Sequence, residues 1–492
     1  MPSSPSDRPV AGPADPSGPA DPADVADLAV VGAGPAGLAA AVTAAGLGLR
    51  VTLLDAGDRP GGQFYRHPAP GLGAARPEAL HHAWPDFAVR EAALRAHVST
   101  GRVTYLPGHH VWTVVARQGA WTLHAVAGDE GAAATVTAGA VLLATGAYER
   151  QLPFPGWTLP GVIGAGGAQA MLKAGLVLPG KRIVVAGSGP LLLAVAGSLA
   201  AAGATVPAVV EASAYTAYAG GAAALLRNPA KLAEGATYGG ALLRHRIRLL
   251  ARHAVTEAHG TDRVEAVTVA RLDRDWCPLP GTARRIPCDA LAVGHGLVPQ
   301  LELATGLGCA TRLGPDGTVA LDLGADGRTS VPGVWSAGET GGIGGAGLAI
   351  TEGEIAARAI AGRPVPASLV RRRSRLRAFA DAMAAAHRPG PGWTGWLRDD
   401  AVVCRCEEVP AGRIREAAEV GARDARTVKL LTRAGMGWCQ GRMCGPAVAA
   451  LAGPSGPSGP SADAAPDRRP LSCPVPLRHL AGLPAELPGS DG

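Results

Sequence analysis

A pattern of a β-branched run, a Gly-x-Gly-Pro turn and an Ala- and Leu-rich run occurs twice in this chain, around Gly32 and around Gly187. Because β-branched residues favour strands and Ala and Leu favour helices, each copy predicts a strand, a tight turn and a helix. Strands that are apolar throughout are typical of parallel sheets with helices on both faces. The repeat therefore predicts an α/β protein with two doubly wound domains.

Both copies lie in long uncharged stretches, residues 28–49 and residues 183–210, which have the length of a membrane-spanning helix. The Gly-Pro turn interrupts each stretch soon after its start, which favours a strand followed by a helix. The first 24 residues are mostly Pro, Ser, Ala, Gly and Asp without an apolar run, so they predict a disordered tail rather than a secretory signal. We therefore expect a cytoplasmic protein with no transmembrane segment.

The excess of positive charge does not predict a nucleic-acid partner. The formal net charge is +6, but the longest basic run is Arg371–Arg373, whereas nucleic-acid binding needs a basic cluster or stripe. Hydrophobic residues make up 47% of the 492 residues, which is enough for two or three globular domains. We expect no binding to nucleic acid.

The first glycine turn has the residues that a dinucleotide requires. Gly32 allows a sharp turn after the strand, Gly34 allows the backbone to approach a pyrophosphate, and Gly37 allows the helix to pack closely on the strand. The N-terminus of the helix then presents free N–H groups to the phosphates. Asp55 follows the next predicted strand, where it can accept hydrogen bonds from a ribose. We predict a nucleotide site here.

The second turn contains Gly187 and Gly189, and Glu211 ends the strand that follows. A carboxylate at this position favours a free ribose 2′-hydroxyl over a 2′-phosphate, so NAD or another adenine nucleotide is predicted rather than NADP. The third glycine is replaced by Leu192. The alternative is a degenerate site that keeps the fold and binds nothing, or that binds a different nucleotide.

The order of these motifs resembles the pyridine nucleotide-disulfide oxidoreductases, flavoproteins with two dinucleotide domains. The resemblance covers about residues 26–365 and implies two Rossmann-like domains, with an FAD domain interrupted by an NAD-domain-like insert. It also implies further FAD contacts at Gly62, Gln63, Thr145, Gly146, Gly338 and Glu339, with Glu339 standing where the family usually has Asp.

The distribution of cysteines argues against disulfide reduction as the reaction. Disulfide reductases of this superfamily need a redox-active cysteine pair near the flavin, and no cysteine precedes Cys277. The next two, Cys288 and Cys309, are too widely spaced from it and from each other to form such a pair. We therefore exclude thiol-disulfide exchange and interpret these three cysteines as structural or incidental.

Four cysteines near the C-terminus form a Cys-x-Cys pair and a Cys-x₄-Cys pair, and they are Cys404, Cys406, Cys439 and Cys444. Thiolates are soft ligands that select iron–sulfur clusters or zinc. Zinc sites usually have two to four residues between the cysteines of a pair, so Cys-x-Cys favours a [2Fe-2S] cluster. Zinc and plain thiols remain the alternatives.

The residues around these cysteines predict a small helical domain. Two helical segments are expected over about 410–420 and 424–433, with Asp424 as an N-cap and Gly435 as a stop. Pro446 suits the first turn of a further helix. The dipole of that helix would lie close to Cys444 and favour an anionic cluster.

This segment resembles the [2Fe-2S] domain of bacterioferritin-associated ferredoxin, although that domain has Cys-x-x-Cys as its second pair. Together with residues 145–161 and 469–477, it resembles the larger FAD subunits of opine oxidase, hydrogen cyanide synthase and heteromeric proline dehydrogenase. The resemblance implies a smaller flavoprotein partner, similar to glycine or sarcosine oxidase, that takes hydride from the substrate. This chain would then pass electrons through FAD and a [2Fe-2S] cluster to an acceptor.

Two other functions remain open at this point. One is a self-contained NAD(P)H-dependent reductase, and the other is a non-enzymatic scaffold with a zinc-filled four-cysteine module. No catalytic acid or base can be assigned, because His67, His81 and His82 are expected to be surface or loop residues, and Cys473 in the Pro-rich tail is expected to be free.

The predicted organisation has eight segments. They are a disordered tail (1–25), the first part of the FAD domain (26–155), the NAD-like domain (156–290), the second part of the FAD domain (291–365), a helical connector (366–399), the [2Fe-2S] domain (400–452), a flexible linker (453–468) and a Pro-rich tail (469–492).

Overall fold

The computed structural model describes residues 25–81, 83–117, 119–128, 131–453 and 471–481. The predicted tail over 1–25 and the predicted linker over 453–468 lie outside the described residues except for one boundary position each. His82 and part of the predicted C-terminal tail also lie outside them.

The first sheet is built around a central parallel strand that is buried on both faces. Its strands run in the order β3-β2-β1-β6-β5-β4, and β1, β2, β3 and the end of β6 are parallel. The helix after β1 consists largely of Ala and Gly, which lets it lie close to the sheet. The elements are β1 (Ala26–Val31), α1 (Pro35–Gly46), β2 (Val51–Leu54), α2 (Trp84–Ser99), β3 (Val103–Leu106), β4 (His109–Arg117), β5 (Ala120–Ala127) and β6 (Ala132–Leu143).

A second parallel sheet follows, with a three-stranded antiparallel sheet beside it. The elements are β7 (Ala147–Glu149), β8 (Val162–Gly164), α3 (Ala165–Gly175), β9 (Ile183–Gly187), α4 (Leu191–Ala201), β10 (Ala208–Glu211), α5 (Ala222–Leu226), α6 (Pro229–Arg244), β11 (Arg248–Ala251), β12 (His253–His259), β13 (Ala266–Arg271), β14 (Arg284–Pro287), β15 (Ala290–Gly294) and β16 (Leu297–Pro299). The parallel order is β11-β10-β9-β15-β8, and β12, β13 and β14 form the antiparallel sheet. The boundary predicted at 290/291 cuts β15, which pairs with β9 and β8 and therefore lies in the second sheet.

The chain then returns to the first sheet. Strand β19 pairs in parallel with β6, so the first domain is interrupted by the second, as the sequence predicted. The last helix of this part begins at Ala346, directly after Gly345. The elements are α7 (Glu302–Gly306), β17 (Thr311–Leu313), β18 (Val319–Leu321), β19 (Val334–Ser336) and α8 (Ala346–Ile360).

A long helix connects this part to the small C-terminal domain. The elements are α9 (Ala367–Ala386), β20 (Val402–Cys404), β21 (Val409–Pro410), α10 (Ala411–Glu419), α11 (Ala425–Thr432), α12 (Gly445–Ala452) and α13 (Leu477–Ala481). The predicted N-cap is confirmed, since the Asp424 side chain accepts a hydrogen bond from Thr427 N at 2.9 Å. The helix ends just before the predicted stop, with Arg433 in the left-handed region.

The two uncharged stretches are folded as strand, turn and helix rather than as spanning helices. Among the described residues, no helix combines the length and the apolar character that crossing a bilayer requires.

Candidate cofactor sites

The first glycine turn brings β1, α1 and β6 into close contact. Gly32 has a φ of +103°, and a Cβ at this position would overlap the carbonyl of Ala144. A Cβ at Gly37 would overlap the carbonyl of Gly32. Both positions therefore require glycine, and their packing lets α1 begin directly at the end of the strand.

A second glycine loop lies across this turn. A Cβ on Gly62 would stand 2.7 Å from the Cα of Gly34, and Gly61 N donates to Ala33 O at 2.8 Å. The side chain of Gln63 accepts a hydrogen bond from Arg66 Nη2 at 2.6 Å. The two facing glycines form a cradle of bare backbone at the N-terminus of α1, which fits a pyrophosphate.

Asp55 lies at the end of β2, beside this cradle. Its carboxylate accepts hydrogen bonds from Ala33 N and from Gly57 N. Burial raises the pKa of Asp55, although these two hydrogen bonds act in the opposite direction. The acid is therefore attached to the glycine turn, and it remains half-buried, as a ribose contact requires.

Thr145 and Gly146 connect β6 to β7 and contact the residue that follows β16. Thr145 Oγ1 donates to Gln300 O at 2.8 Å, and Gln300 N donates to Gly146 O at 3.0 Å. Gly146 has a φ of +82°. The two residues are thus at the crossing between the domains, next to the end of β6.

Gly338 and Glu339 precede α8. Gly338 approaches α1 so closely that a Cβ would stand 2.9 Å from Ala36 Cβ. The buried carboxylate of Glu339 accepts hydrogen bonds from Gly344 N at 2.6 Å and Gly345 N at 3.0 Å. Burial raises the pKa of Glu339. In this structure its carboxylate holds the loop before α8, and the expected contact of these two residues with FAD stays a prediction.

Glu352, which was not predicted from the sequence, is buried on α8. Its carboxylate accepts hydrogen bonds from Gly338 N at 3.1 Å and from Arg377 on α9 at 2.8 Å. An acid inside an Ala-rich helix gave no local signal of this role.

The second glycine turn resembles the first at its first glycine and differs at its second, since Gly34 has a φ of −68°. A Cβ at Gly187 would overlap the carbonyl of Gly294, and Gly189 has a φ of +116°. Glu211 accepts hydrogen bonds from Gly189 N at 3.0 Å and from Ser213 N at 2.9 Å. The second acid therefore holds its turn in the way that Asp55 holds the first.

A histidine from a distant part of the chain lies against this second turn. His387 Nδ1 is 3.0 Å from Ser188 Oγ and 3.5 Å from Glu211 Oε1, and His387 Nε2 is 2.6 Å from Tyr218 Oη. Neither His387 nor Tyr218 was singled out from the sequence, because they are far apart along the chain and belong to no motif.

The four C-terminal cysteines come together in the small domain. Cys404 ends β20 and Cys444 caps α12, and their side-chain hydrogen bond lowers the pKa of Cys404 to about 5 and raises that of Cys444. Cys406 also forms hydrogen bonds with Cys439. Within the described ranges, no three His, Cys, Asp or Glu side chains converge on the position of a single metal ion.

Glycines line the space between the two cysteine segments. A Cβ at Gly437 would overlap Cys406, and Gly435 N donates to Cys404 Sγ at 3.4 Å. Cys406 is exposed, whereas Cys404 and Cys444 are buried. Four thiols with a backbone N–H donor beside the α12 N-terminus fit an anionic iron–sulfur cluster.

The cluster loop is attached to the first domain by Arg442, which lies between Cys439 and Cys444. Arg442 Nε donates to Glu302 Oε1 at 2.7 Å and to Tyr148 Oη at 3.1 Å, and its Nη2 donates to Ser472 O. This contact was not predicted. It joins the loop between Cys439 and Cys444 to Glu302 and Tyr148, which belong to no motif that would indicate this contact.

The other four cysteines and the histidines His67 and His81 differ in burial and contacts. Cys288, Cys309 and Cys473 are buried and Cys277 is exposed, each with a free thiol. The segment that contains Cys473 is docked, since Ser472 N donates to Trp112 O at 2.8 Å. His67 Nδ1 is 2.8 Å from Tyr65 O, and the His67 and His81 rings pack near Trp84.

Two family models match the chain. The family described as pyridine nucleotide-disulphide oxidoreductase matches residues 26–353, and the BFD-like [2Fe-2S] binding domain matches residues 402–452. Both matches coincide with the regions that contain the glycine turns and the four cysteines.

Two curated proteins are similar over most of the chain. Hydrogen cyanide synthase subunit HcnB of Pseudomonas aeruginosa is 37% identical over 429 residues, which cover 84% of this chain and 89% of that protein. An opine oxidase subunit of Agrobacterium tumefaciens is 33% identical over 468 residues, which cover 92% of this chain and 91% of that protein.

The fold is similar to that in the crystal structure of L-proline dehydrogenase from P. horikoshii, with a TM-score of 0.61 and 20% identity over 93% of this chain and 79% of that chain. The family matches confirm the predicted fold class and the predicted FAD and [2Fe-2S] cofactors. The chain therefore belongs to the pyridine nucleotide-disulphide oxidoreductase family, as an FAD-dependent oxidoreductase with a C-terminal [2Fe-2S] domain.

Proposed function

We propose that this chain is the flavin and iron–sulfur electron-transfer subunit of a heteromeric amine or amino-acid dehydrogenase. The observation that carries the proposal is the Arg442 contact, which attaches the cysteine loop to the first nucleotide domain in a single chain. Similar proteins are named as subunits of an opine oxidase and of hydrogen cyanide synthase, which supports an assembly with a second chain.

The substrate of the complex belongs to the opine, proline or glycine type in this proposal. A smaller flavoprotein subunit similar to glycine or sarcosine oxidase would oxidise its C–N bond. A flavin accepts two electrons and an iron–sulfur cluster carries one, so the pair supplies conversion between two-electron and one-electron chemistry. The residues of this chain bind and orient the two groups.

The proposed FAD contacts are backbone and carboxylate groups of the first domain. Asp55 would accept ribose hydroxyls, and the Gly34–Gly62 cradle would admit the pyrophosphate to the α1 N-terminus. The full proposed set is Gly32, Gly34, Gly37, Asp55, Gly62, Gln63, Thr145, Gly146, Gly338 and Glu339.

The proposed cluster ligands are Cys404, Cys406, Cys439 and Cys444. Replacing Cys444 by Ser should abolish the cluster, because a buried hydroxyl is a poor ligand for iron. Iron, acid-labile sulfide and the EPR signal of the reduced protein measure this. Cys473→Ser is the matched control, since Cys473 is also buried and should leave all three readouts unchanged. Zinc without sulfide in the wild-type protein would instead support a structural four-cysteine module.

The proposed function itself is tested by affinity purification from the native cell. We expect a flavoprotein similar to glycine or sarcosine oxidase to co-purify, and we expect the complex to reduce a one-electron acceptor with an amino acid or opine. Recovery of this chain alone, with rapid oxidation of NADH, would contradict the proposal and support a self-contained reductase.

A further inference from the structure

The second nucleotide fold has its own acid at the position that contacts a ribose. A dinucleotide bound there needs Glu211 to accept ribose hydroxyls at hydrogen-bond distance, about 2.7 Å between oxygens. It also needs open space between the acid and the glycine turn. The backbone hydrogen bonds of Glu211 do not prevent this, because Asp55 has equivalent ones in the first domain.

The space beside Glu211 is filled by His387. Its Nδ1 lies 3.5 Å from Glu211 Oε1 and 3.0 Å from the Oγ of Ser188. Ser188 is part of the glycine turn. The other ring nitrogen lies 2.6 Å from Tyr218 Oη. The imidazole is thus held from both sides in the volume that ribose hydroxyls would need.

The two acids, Glu211 and Asp55, differ in burial. Glu211 is only 2% exposed, and Ser188 and Ser213 beside it are also buried. Asp55 is half-buried, and Gly57 next to it is exposed. The same hydrogen-bonded turn is therefore accessible in the first domain and covered in the second.

The segment that carries His387 is anchored on both sides of the histidine. On α9, Ala382 packs closely against Gly221, since a Cβ at Gly221 would stand 2.6 Å from Ala382 Cβ. Arg375 O accepts a hydrogen bond from the buried Asn228 side chain at 3.2 Å. After the histidine, Gly392 N donates to Asp275 O at 2.8 Å. Displacing His387 would require movement of a packed segment rather than of one side chain.

We infer that this chain closes its own second nucleotide site, with His387 in place of a ribose, so that NAD(H) does not bind there. Electrons then do not enter this chain from reduced nicotinamide through the second domain. In this inference the second nucleotide domain has a structural role, because the connector between the first domain and the cluster domain packs against it.

The test is equilibrium binding of labelled ADP-ribose to the FAD-saturated protein, together with flavin absorbance after addition of NADH. The wild-type protein should show no saturable binding and no rapid bleaching. His387→Ala removes the imidazole and should give saturable binding of ADP-ribose, at least tenfold tighter than any residual binding to the wild type. The double variant H387A/E211A should lose this gain, because the ribose would have no acceptor.

Two further variants keep the test decisive. Tyr218→Phe removes only a hydroxyl and should give a smaller gain if H387A does not fold. His253→Ala, on β12 of the same domain, is the control and should bind as the wild type does. Tight binding of ADP-ribose to the wild type that E211A abolishes would overturn the inference, as would H387A and Y218F that both fold and gain no affinity.

Discussion

The small cysteine domain is held on two sides, and the two contacts differ in chemistry. Towards the second nucleotide domain the contact is aromatic, since the rings of Trp276 and Trp396 stack with centroids 6.0 Å apart and Trp396 Nε1 donates to Trp276 O at 2.9 Å. Towards the first domain the contact is ionic, through Arg442 and Glu302 at 2.7 Å.

The two contacts differ in what they do for the cysteine domain: one stabilises its attachment and the other fixes its position. Burial of large aromatic rings is favourable and has little directionality, so it stabilises the attachment. A largely buried ion pair gains little net free energy because desolvation offsets the attraction, but it permits few geometries. We therefore expect the tryptophan side to supply most of the stability and the arginine side to set the distance between flavin and cluster.

The largest effect is expected for Trp396→Ala. Trp396 is buried, so the variant should lose about 3–5 kcal/mol in the free energy of unfolding. Denaturant unfolding measures this loss, and proteolysis should release the cysteine domain first. Trp438→Ala is the control, because Trp438 is 79% exposed and its loss should change stability by no more than about 0.5 kcal/mol.

A smaller effect on stability is expected for Arg442→Ala. The variant leaves Glu302, whose side chain is 15% exposed, without its ionic partner, which should cost about 2 kcal/mol. The EPR spectrum of the cluster should persist, while reduction of the cluster after flavin reduction slows at least tenfold in rapid freeze-quench measurements. Glu302→Gln keeps an acceptor for Arg442 and should fall between wild type and R442A. A larger loss of stability in R442A than in W396A would contradict the expectation that the tryptophan contact supplies most of the stability.

The smallest effect, of opposite sign, is expected for Lys173→Met at the contact between the two nucleotide domains. Lys173 is buried and donates to a neutral carbonyl, Phe64 O, at 3.3 Å. Burial lowers its pKa to about 8, so at pH 7 the folded state bears the cost of a buried charge. Removing it should stabilise the protein at pH 7 by about 1 kcal/mol, after the lost hydrogen bond is subtracted.

The pH dependence of this variant has a definite sign. Between about pH 8 and the ordinary lysine pKa near 10.4, the unfolded chain binds more protons at this site than the folded protein does. The destabilisation is therefore complete below pH 8 and disappears as the pH rises through this range. The advantage of K173M over the wild type should shrink accordingly, and a constant difference from pH 7 to pH 10 would exclude the explanation.

The elements that could be predicted from the sequence are those whose signals are local. Both glycine turns, the acids that follow them and the Asp424 cap depend on short stretches with fixed backbone demands, and the structure has them where expected. The four cysteines are in spaced pairs, and the family match places a [2Fe-2S] domain over them.

The contacts that were missed join distant parts of the chain. His387 meets Ser188 across 199 positions, and Arg442 meets Glu302 across 140. Such pairs leave no periodicity or spacing in the sequence, since each partner alone is an ordinary polar residue in a loop or helix. The same reason explains why the closed second site could not be distinguished from an open one.

The contact between Arg442 and the carbonyl of Ser472 also means that a later segment of the chain restrains the cysteine loop. Ser472 lies thirty positions after Arg442, and its own segment docks on Trp112 and Val111 of the first sheet. On the ribosome, the two nucleotide domains and the cysteine loop emerge before this segment, so the loop can exist without its last restraint. All four cysteines are therefore synthesised before the segment that restrains their loop.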